Sequence, residues 1–146
     1  MKNQFKLATL MNAQPYETLN ELVDQLMVSL LPRTLQQKSL IVNDVPDELF
    51  VNTDKNVLAT IVSYLLNETV SNTEHNCIRV TAKKFGNITL VHVKNNDISH
   101  EISISNGLQY IQPMAEKLGG CISITSNKIK GTTIAFTFNN NVTVAA

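Results

Sequence analysis

The chain has 146 residues with 12 basic and 12 acidic side chains, so its formal charge is zero. Hydrophobic residues make up 43% and charged residues 16%, which is the composition of a globular chain of one ordinary domain. That balance gives no general electrostatic pull on nucleic acid or anionic lipid, and no stretch nears the roughly 18 apolar residues of a membrane span, so the expectation is a cytoplasmic protein with no nucleic-acid partner and no membrane.

Residues 1–16 read as an N-terminal extension without a signal-peptide run. Leu19, Leu22, Val23, Leu26 and Leu30 then recur at helical spacing, and Thr18 with Glu21 forms a capping box. Pro32 is expected to close this helix, which the spacing predicts over 17–31. SLIVND and ELFVN flank Val45-Pro46-Asp47 and predict two brief strands. Asp54 caps a second helix over 54–71, with Leu58, Ile61, Val62, Leu65 and Leu66 as its apolar stripe.

From Cys77 the period changes to two. CIRVTAKKF and ITLVHVKN alternate around Gly86-Asn87, which predicts a hairpin. DISHEISIS fits no single period. NGLQYIQPMAEKLGG predicts a third helix stopped by Gly119-Gly120, with Pro113 kinking it or delaying its start. CISITSN and TTIAFTFN make a closing hairpin, and 139–146 reads as a C-terminal tail. The order helix, β, β, helix, β, β, helix, β, β requires no βαβ crossover. It predicts an α+β two-layer sandwich over 17–138, with three helices on one face of a mixed, mainly antiparallel sheet.

With these residues in view, the chain resembles the ATP-binding domain of sensor histidine kinases, the GHKL or Bergerat-fold family. The closing segment GLQYIQPMAEKLGGCISITSNKIKGTTIAFTF carries Gly107-Leu108, Gly119-Gly120 and Gly131-Thr132-Thr133 in that family's order, and DKNVLATIVSYLLNETVSNT resembles its asparagine-box helix. The resemblance implies an Mg-ATP site. Aligning the family's Leu-Leu pair with Leu65-Leu66 puts Glu68 at the Mg-binding asparagine, Ser71 at the usual lysine and Tyr64 at the first asparagine, with Asn72 just beyond. VHVKNND puts Asn95 at the adenine-binding aspartate and Asp97 at the following glycine. The cofactor-binding set the resemblance implies is therefore Glu68, Asn72, Asn95, Asp97, Gly107, Gly131, Thr132 and Thr133, with Glu68 as the metal ligand and no catalytic residue.

Several departures work against nucleotide binding. Glu68 can ligate Mg²⁺ through oxygen, but it adds a negative charge beside a triphosphate while Ser71 supplies no compensating one. A like-charge pair at ~4 Å costs about 1–4 kcal/mol in partly screened surroundings. Asn95 offers an uncharged acceptor, and Asp97 places a side chain where the family has none. Only residues 97–106 stand where the family carries its glycine-rich lid, and no His precedes residue 75, so the chain is expected not to be a complete autophosphorylating kinase.

His92 is expected on the outer sheet face and exposed, His75 and His100 in loops without catalytic partners, and Cys77 and Cys121 at strand starts, half-buried. The three histidines and two cysteines do not make a zinc site or a disulfide framework. The sequence thus supports a divergent signalling module with lost or weak ATP binding, acting on a response regulator or a histidine kinase. The alternative is a working Mg-ATP domain acting in trans with a His-bearing partner. A homodimer through the first helix or the 98–104 segment is a third reading.

Overall fold

A computed structural model describes residues 15–96, 101–127 and 131–141, the backbone alone being described for 101–106 and Asn127. The elements are α1 (Leu19–Gln36), β1 (Leu40–Asp44), α2 (Lys55–Ser71), β2 (Cys77–Phe85), β3 (Ile88–Asn95), α3 (Glu101–Lys117), β4 (Cys121–Asn127) and β5 (Gly131–Asn139). Among the described residues the strands form one sheet in the order β1-β2-β3-β5-β4, with β1 parallel to β2 and the other pairs antiparallel. The α+β sandwich with three helices and a mixed, mainly antiparallel sheet is therefore what the chain adopts.

The start of α1 follows its sequence. The Thr18 hydroxyl accepts from the Glu21 N–H at 3.2 Å, and the Glu21 carboxylate accepts from the Thr18 N–H at 3.0 Å, closing the capping box. Backbone N–H groups of Glu17 and Thr18 hold the Glu21 carboxyl below its usual range. The end of α1 does not follow its sequence: the helix runs through Pro32 to Gln36. A proline inside a helix forfeits a hydrogen bond and costs ~3 kcal/mol. Docking of the last turn on the end of α2 offsets this. Thr34 is buried, Arg33 Nη1 donates to Ser71 Oγ at 3.0 Å, and Gln37 Nε2 donates to the Ser71 carbonyl at 3.1 Å.

The ELFVN segment also departs from expectation. Its alternation is real, with Leu49 and Val51 buried and Phe50 exposed. Its partner is the lead-in to α1 rather than the sheet, through Leu19 N–H to Leu49 carbonyl and Val51 N–H to Glu17 carbonyl, both at 2.9 Å, around an isolated bridge between Thr18 and Phe50. With that strand gone from the sheet, β1 connects through α2 to its parallel neighbour β2, so the chain does contain a β–α–β crossover.

The core is the seam between the helices and the inner sheet face. Leu19, Leu22 and Val23 of α1, with Leu58, Ile61, Leu65 and Leu66 of α2, are all at most 1% exposed. Burial of each such side chain contributes roughly 1.5–3 kcal/mol. They meet Ile78 and Val80 of β2, Val91 and Val93 of β3, and Ile134, Phe136 and Phe138 of β5. Phe136 and Phe138 stack with centroids 5.3 Å apart.

The third helix starts earlier than expected, at Glu101, and passes through Pro113. The neighbouring Gln112 clamps it to β4, donating from Nε2 to the Ile122 carbonyl at 3.0 Å and accepting from the Ile122 N–H at 2.7 Å. The β2–β3 hairpin forms at Gly86-Asn87 in the expected register, Phe85 opposite Ile88. The β4–β5 hairpin forms too, with Asn127 opposite Gly131.

Two polar residues of the outer face sit differently than expected. His92 does lie on the outer face, opposite Ala135 and Thr81, but it is half-buried rather than exposed. Burial first, and the Lys94 charge second, push its pKa below the ordinary histidine value. Cys77 begins β2 half-buried, whereas Cys121 begins β4 exposed, against the expectation of half-burial for both. His75 is an exposed loop residue as expected, and His100 lies outside the described residues.

Asn140, just past β5, is 1% exposed although it was expected in the tail. Its Oδ1 accepts from the Asn52 N–H at 2.6 Å, and its Nδ2 donates to the Phe50 carbonyl at 2.9 Å and to Thr89 Oγ1 at 3.1 Å. All these partners are far away in sequence, which is why no local pattern marked it.

Candidate functional site

The residues singled out from the sequence fall into two groups. The first lies where α2 packs against α3. Tyr64 and Glu68 are four apart on α2 and so share a face. Gly107 is an interior position of α3. A Cβ built on Gly107 would lie 1.7 Å from Tyr64 Oη and 3.0 Å from Cζ. The phenol therefore occupies the space a side chain at 107 would need, so a larger residue there has to move the ring. Burial, then the Glu68 charge and the neighbouring Tyr110 phenol, push the Tyr64 pKa up, so Tyr64 is a neutral phenol near pH 7.

The second group lies at the end of the sheet. Residues 89, 91, 93 and 95 of β3 and 132, 134, 136 and 138 of β5 are all buried, which puts them on the inner face. Val91 pairs with Phe136, Val93 with Ile134, and Asn95 with Thr132. The apolar stripe thus ends on a polar pair, Asn95 at 3% and Thr132 at 1% exposure. Gly131 stands beside it at φ +80°, and a Cβ there would lie 2.1 Å from the Asn95 carbonyl oxygen and 2.5 Å from Asn96 Cα. Both the backbone angle and the close approach require glycine. Thr133 is one residue further on and so faces the opposite side of the sheet, paired with Lys94. It does not join Thr132. Asp97 lies outside the described residues.

The end of α2 is occupied by internal contacts. Ser71 Oγ accepts from Arg33, as described above. Asn72 is the C-cap, and its Nδ2 donates to the Glu68 carbonyl at 2.8 Å. Three features of this corner bear on whether it could hold Mg-ATP. The Tyr64 phenol fills space at Gly107 and the Glu68 carboxylate adds negative charge, whereas Arg33 brings a guanidinium to the serine at the lysine position. Among the described residues no cluster of three or more His, Cys, Asp or Glu side chains stands ready for a metal. An open depression of about 320 Å³ lies near Asn52, Lys117 and Asn139 at the far end of α3, and it holds none of the residues of the implied cofactor-binding set.

Sequence reading noted Tyr64 only as a replacement and missed Arg33 altogether. For Tyr64 the sequence offered only its place one turn before Glu68; the glycine that stands against it comes from the packing of α3. Arg33 carried no signal, since its reach to Ser71 depends on α1 continuing past a proline.

Solved structures of similar fold are found. Histidine kinase AdeS of Acinetobacter baumannii matches with a TM-score of 0.73 at 12% identity, over 95% of this chain and 76% of that one. The catalytic domain of histidine kinase ThkA matches at 0.71 and 18% identity, over 84% and 94%. ThkA in complex with response regulator protein TrrA matches at 0.69 and 18%, over 85% of this chain and 41% of that one. Full-length ShkA in complex with AMPPNP matches at 0.70 and 18%, over 99% and 36%. No protein-family model matches the chain, and no curated protein matches it in sequence. Likeness at this level of identity establishes the fold and leaves the activity to the site itself.

Proposed function

We propose, from the premise that the chain has the fold of histidine kinase catalytic domains, that it is a signalling module with lost or weak nucleotide binding that works by docking another signalling protein. The observation that carries this reading is the Tyr64 phenol against Gly107. An adenine nucleotide entering between α2 and α3 would have to displace that ring, and its phosphates would meet the Glu68 carboxylate. The partner class is a response regulator or a histidine kinase. Support for it comes from ThkA, a protein of like fold that has been seen in complex with response regulator TrrA.

Calorimetric titration of the full chain with Mg-ATP and Mg-ADP tests the nucleotide half of the proposal. The expected result is no saturable heat at submillimolar ligand. Saturable binding tighter than ~100 μM, about −5.5 kcal/mol, defeats it. The triple variant Tyr64→Asn, Glu68→Asn, Ser71→Lys is expected to gain binding that the natural chain lacks.

A second reading has its own support. The buried Asn95–Thr132 pair with Gly131 pressed against it supports a seat for a purine edge. On this reading the chain is an Mg-ATP domain working in trans with a His-bearing partner, with Asn95 accepting from the base. If nucleotide binding is found and Asn95→Ala leaves its affinity unchanged, this assignment is wrong.

A further inference from the structure

The outer face of α1 is apolar and, among the described residues, has no cover. Val28 is 73% exposed, Leu31 51% and Leu35 68%, in a helix whose opposite face is buried. They stand three and four positions apart and so form one stripe along the later turns of the helix. The lead-in to α1 runs toward this stripe. The Glu17 and Thr18 N–H groups donate to the Glu21 carboxylate at 2.9 and 3.0 Å, and the Pro15 carbonyl accepts from Gln25 Nε2 at 3.1 Å. Going back along the chain from Thr18 to Pro15 therefore moves forward along α1 from Glu21 to Gln25, antiparallel to the helix. Tyr16, 7% exposed and donating its hydroxyl to the Lys55 carbonyl at 2.7 Å, fixes that course.

The segment MKNQFKLATLMNAQ precedes Pro15. From Gln25 to Leu35 the helix rises about 15 Å, which about five extended residues span. On the same course residues 10–14 come level with Val28 to Leu35. The segment has the chemistry for that place, since Phe5, Leu7, Leu10 and Met11 are apolar and its charged side chains are Lys2 and Lys6 alone. We infer that residues 7–14 run along α1 as a strap over this stripe, with Leu10 and Met11 against Leu31 and Leu35. The strap is tethered at Pro15, beside its seat, so its effective concentration is on the order of millimolar, which a second copy of the chain at micromolar concentration does not match. The inference stands apart from the nucleotide corner, none of whose residues takes part. It closes, with the chain's own residues, a face that a partner would otherwise meet.

Methyl NMR of the isotopically labelled full chain tests it. Expected are nuclear Overhauser contacts from Leu10 and Met11 to Leu31 and Leu35, with methyl shifts that stay constant between about 50 μM and 1 mM protein, as an intramolecular contact requires. Trypsin cleavage after Lys6 gives a second readout, because the protease takes the residues on both sides of the bond in extended, detached form. Leu31→Asp and, separately, the double change Leu10→Asp with Met11→Asp are each expected to speed that cleavage about tenfold by raising the detached population, with the far-UV circular dichroism unchanged. Gln36→Asp, exposed on the same helix but about 100° round from Leu35, is expected to leave it unchanged. Absence of the contacts overturns the inference, as does cleavage indifferent to both the Leu31 and the Leu10–Met11 changes. Contacts that fade on dilution identify a second copy as the cover, and a stripe that binds only a different protein shows no contacts; both results count against it.

Discussion

Replacing Gly107 by alanine places a methyl group 1.7 Å from Tyr64 Oη and 3.0 Å from Cζ. Away from such contacts, alanine stabilises a helix interior by about 1 kcal/mol over glycine. Here the ring has to swing out of its half-buried seat or the helices have to part, and overpacking of this kind costs about 1–3 kcal/mol. The net expectation is a destabilisation of about 1 kcal/mol. In a Tyr64→Ala background the obstacle is gone, and the same Gly107→Ala change should stabilise by about 1 kcal/mol. The coupling between the two sites is then about 2 kcal/mol, with a change of sign that no additive effect produces. Urea denaturation of the four proteins, followed by circular dichroism with the m-values compared, reads it directly. If Gly107→Ala stabilises both backgrounds equally, the phenol does not fill that corner and the closed-site reasoning fails with it.

Other consequences are more local. Gly131→Ala forces a Cβ onto the Asn95 carbonyl and Asn96 Cα at φ +80°, where backbone and not a flexible side chain stands in the way; a loss above about 2 kcal/mol is expected, and a urea midpoint within error of the natural chain contradicts it. Asn140→Ala removes the partner of the part-buried Asn52 N–H and Phe50 carbonyl and of the buried Thr89 hydroxyl, so at about 1–3 kcal/mol for a buried group left unpaired a cost of about 3 kcal/mol is expected; a cost under about 1 kcal/mol means water satisfies them. His92 has its folded pKa depressed below the unfolded value, so its contribution to stability is complete above roughly pH 6.5 and is lost as pH falls through the folded value. The urea midpoint should fall less steeply between about pH 7.5 and 5 in His92→Asn than in the natural chain, and identical slopes rule this out.

Much of the fold was legible because its signals are local. The capping box at Thr18–Glu21, the Asp54 cap, the hairpin at Gly86-Asn87 and the glycine stop at Gly119-Gly120 each involve residues within a few positions of one another. What misled was also local. Pro32 and Pro113 signal interruption, but Arg33, Gln37 and Gln112 hold those helix ends by contacts to residues 10 to 38 positions away. ELFVN has true strand alternation, and nothing in it says that its partner is residues 17–19 rather than the sheet. The site was legible as a set of positions and less so as an assembly. Asn95 and Thr132 meet because the β3–β5 register brings them together, while Thr133 falls on the other face by the same pleat. The role of Tyr64 emerges only once α3 sets a glycine against it.

The chain has the fold of histidine kinase catalytic domains, and the central proposal is that the corner between α2 and α3, where the Tyr64 phenol stands against Gly107, does not admit a nucleotide. Amide NMR spectra of the isotopically labelled chain, recorded during titration with Mg-ADP, test that claim residue by residue. Expected are spectra that do not change saturably at Tyr64, Glu68, Asn95, Gly107 or Thr132 up to millimolar nucleotide. Saturable shifts clustered at those amides contradict it, because they would mean that the ring yields and the ancestral pocket still opens.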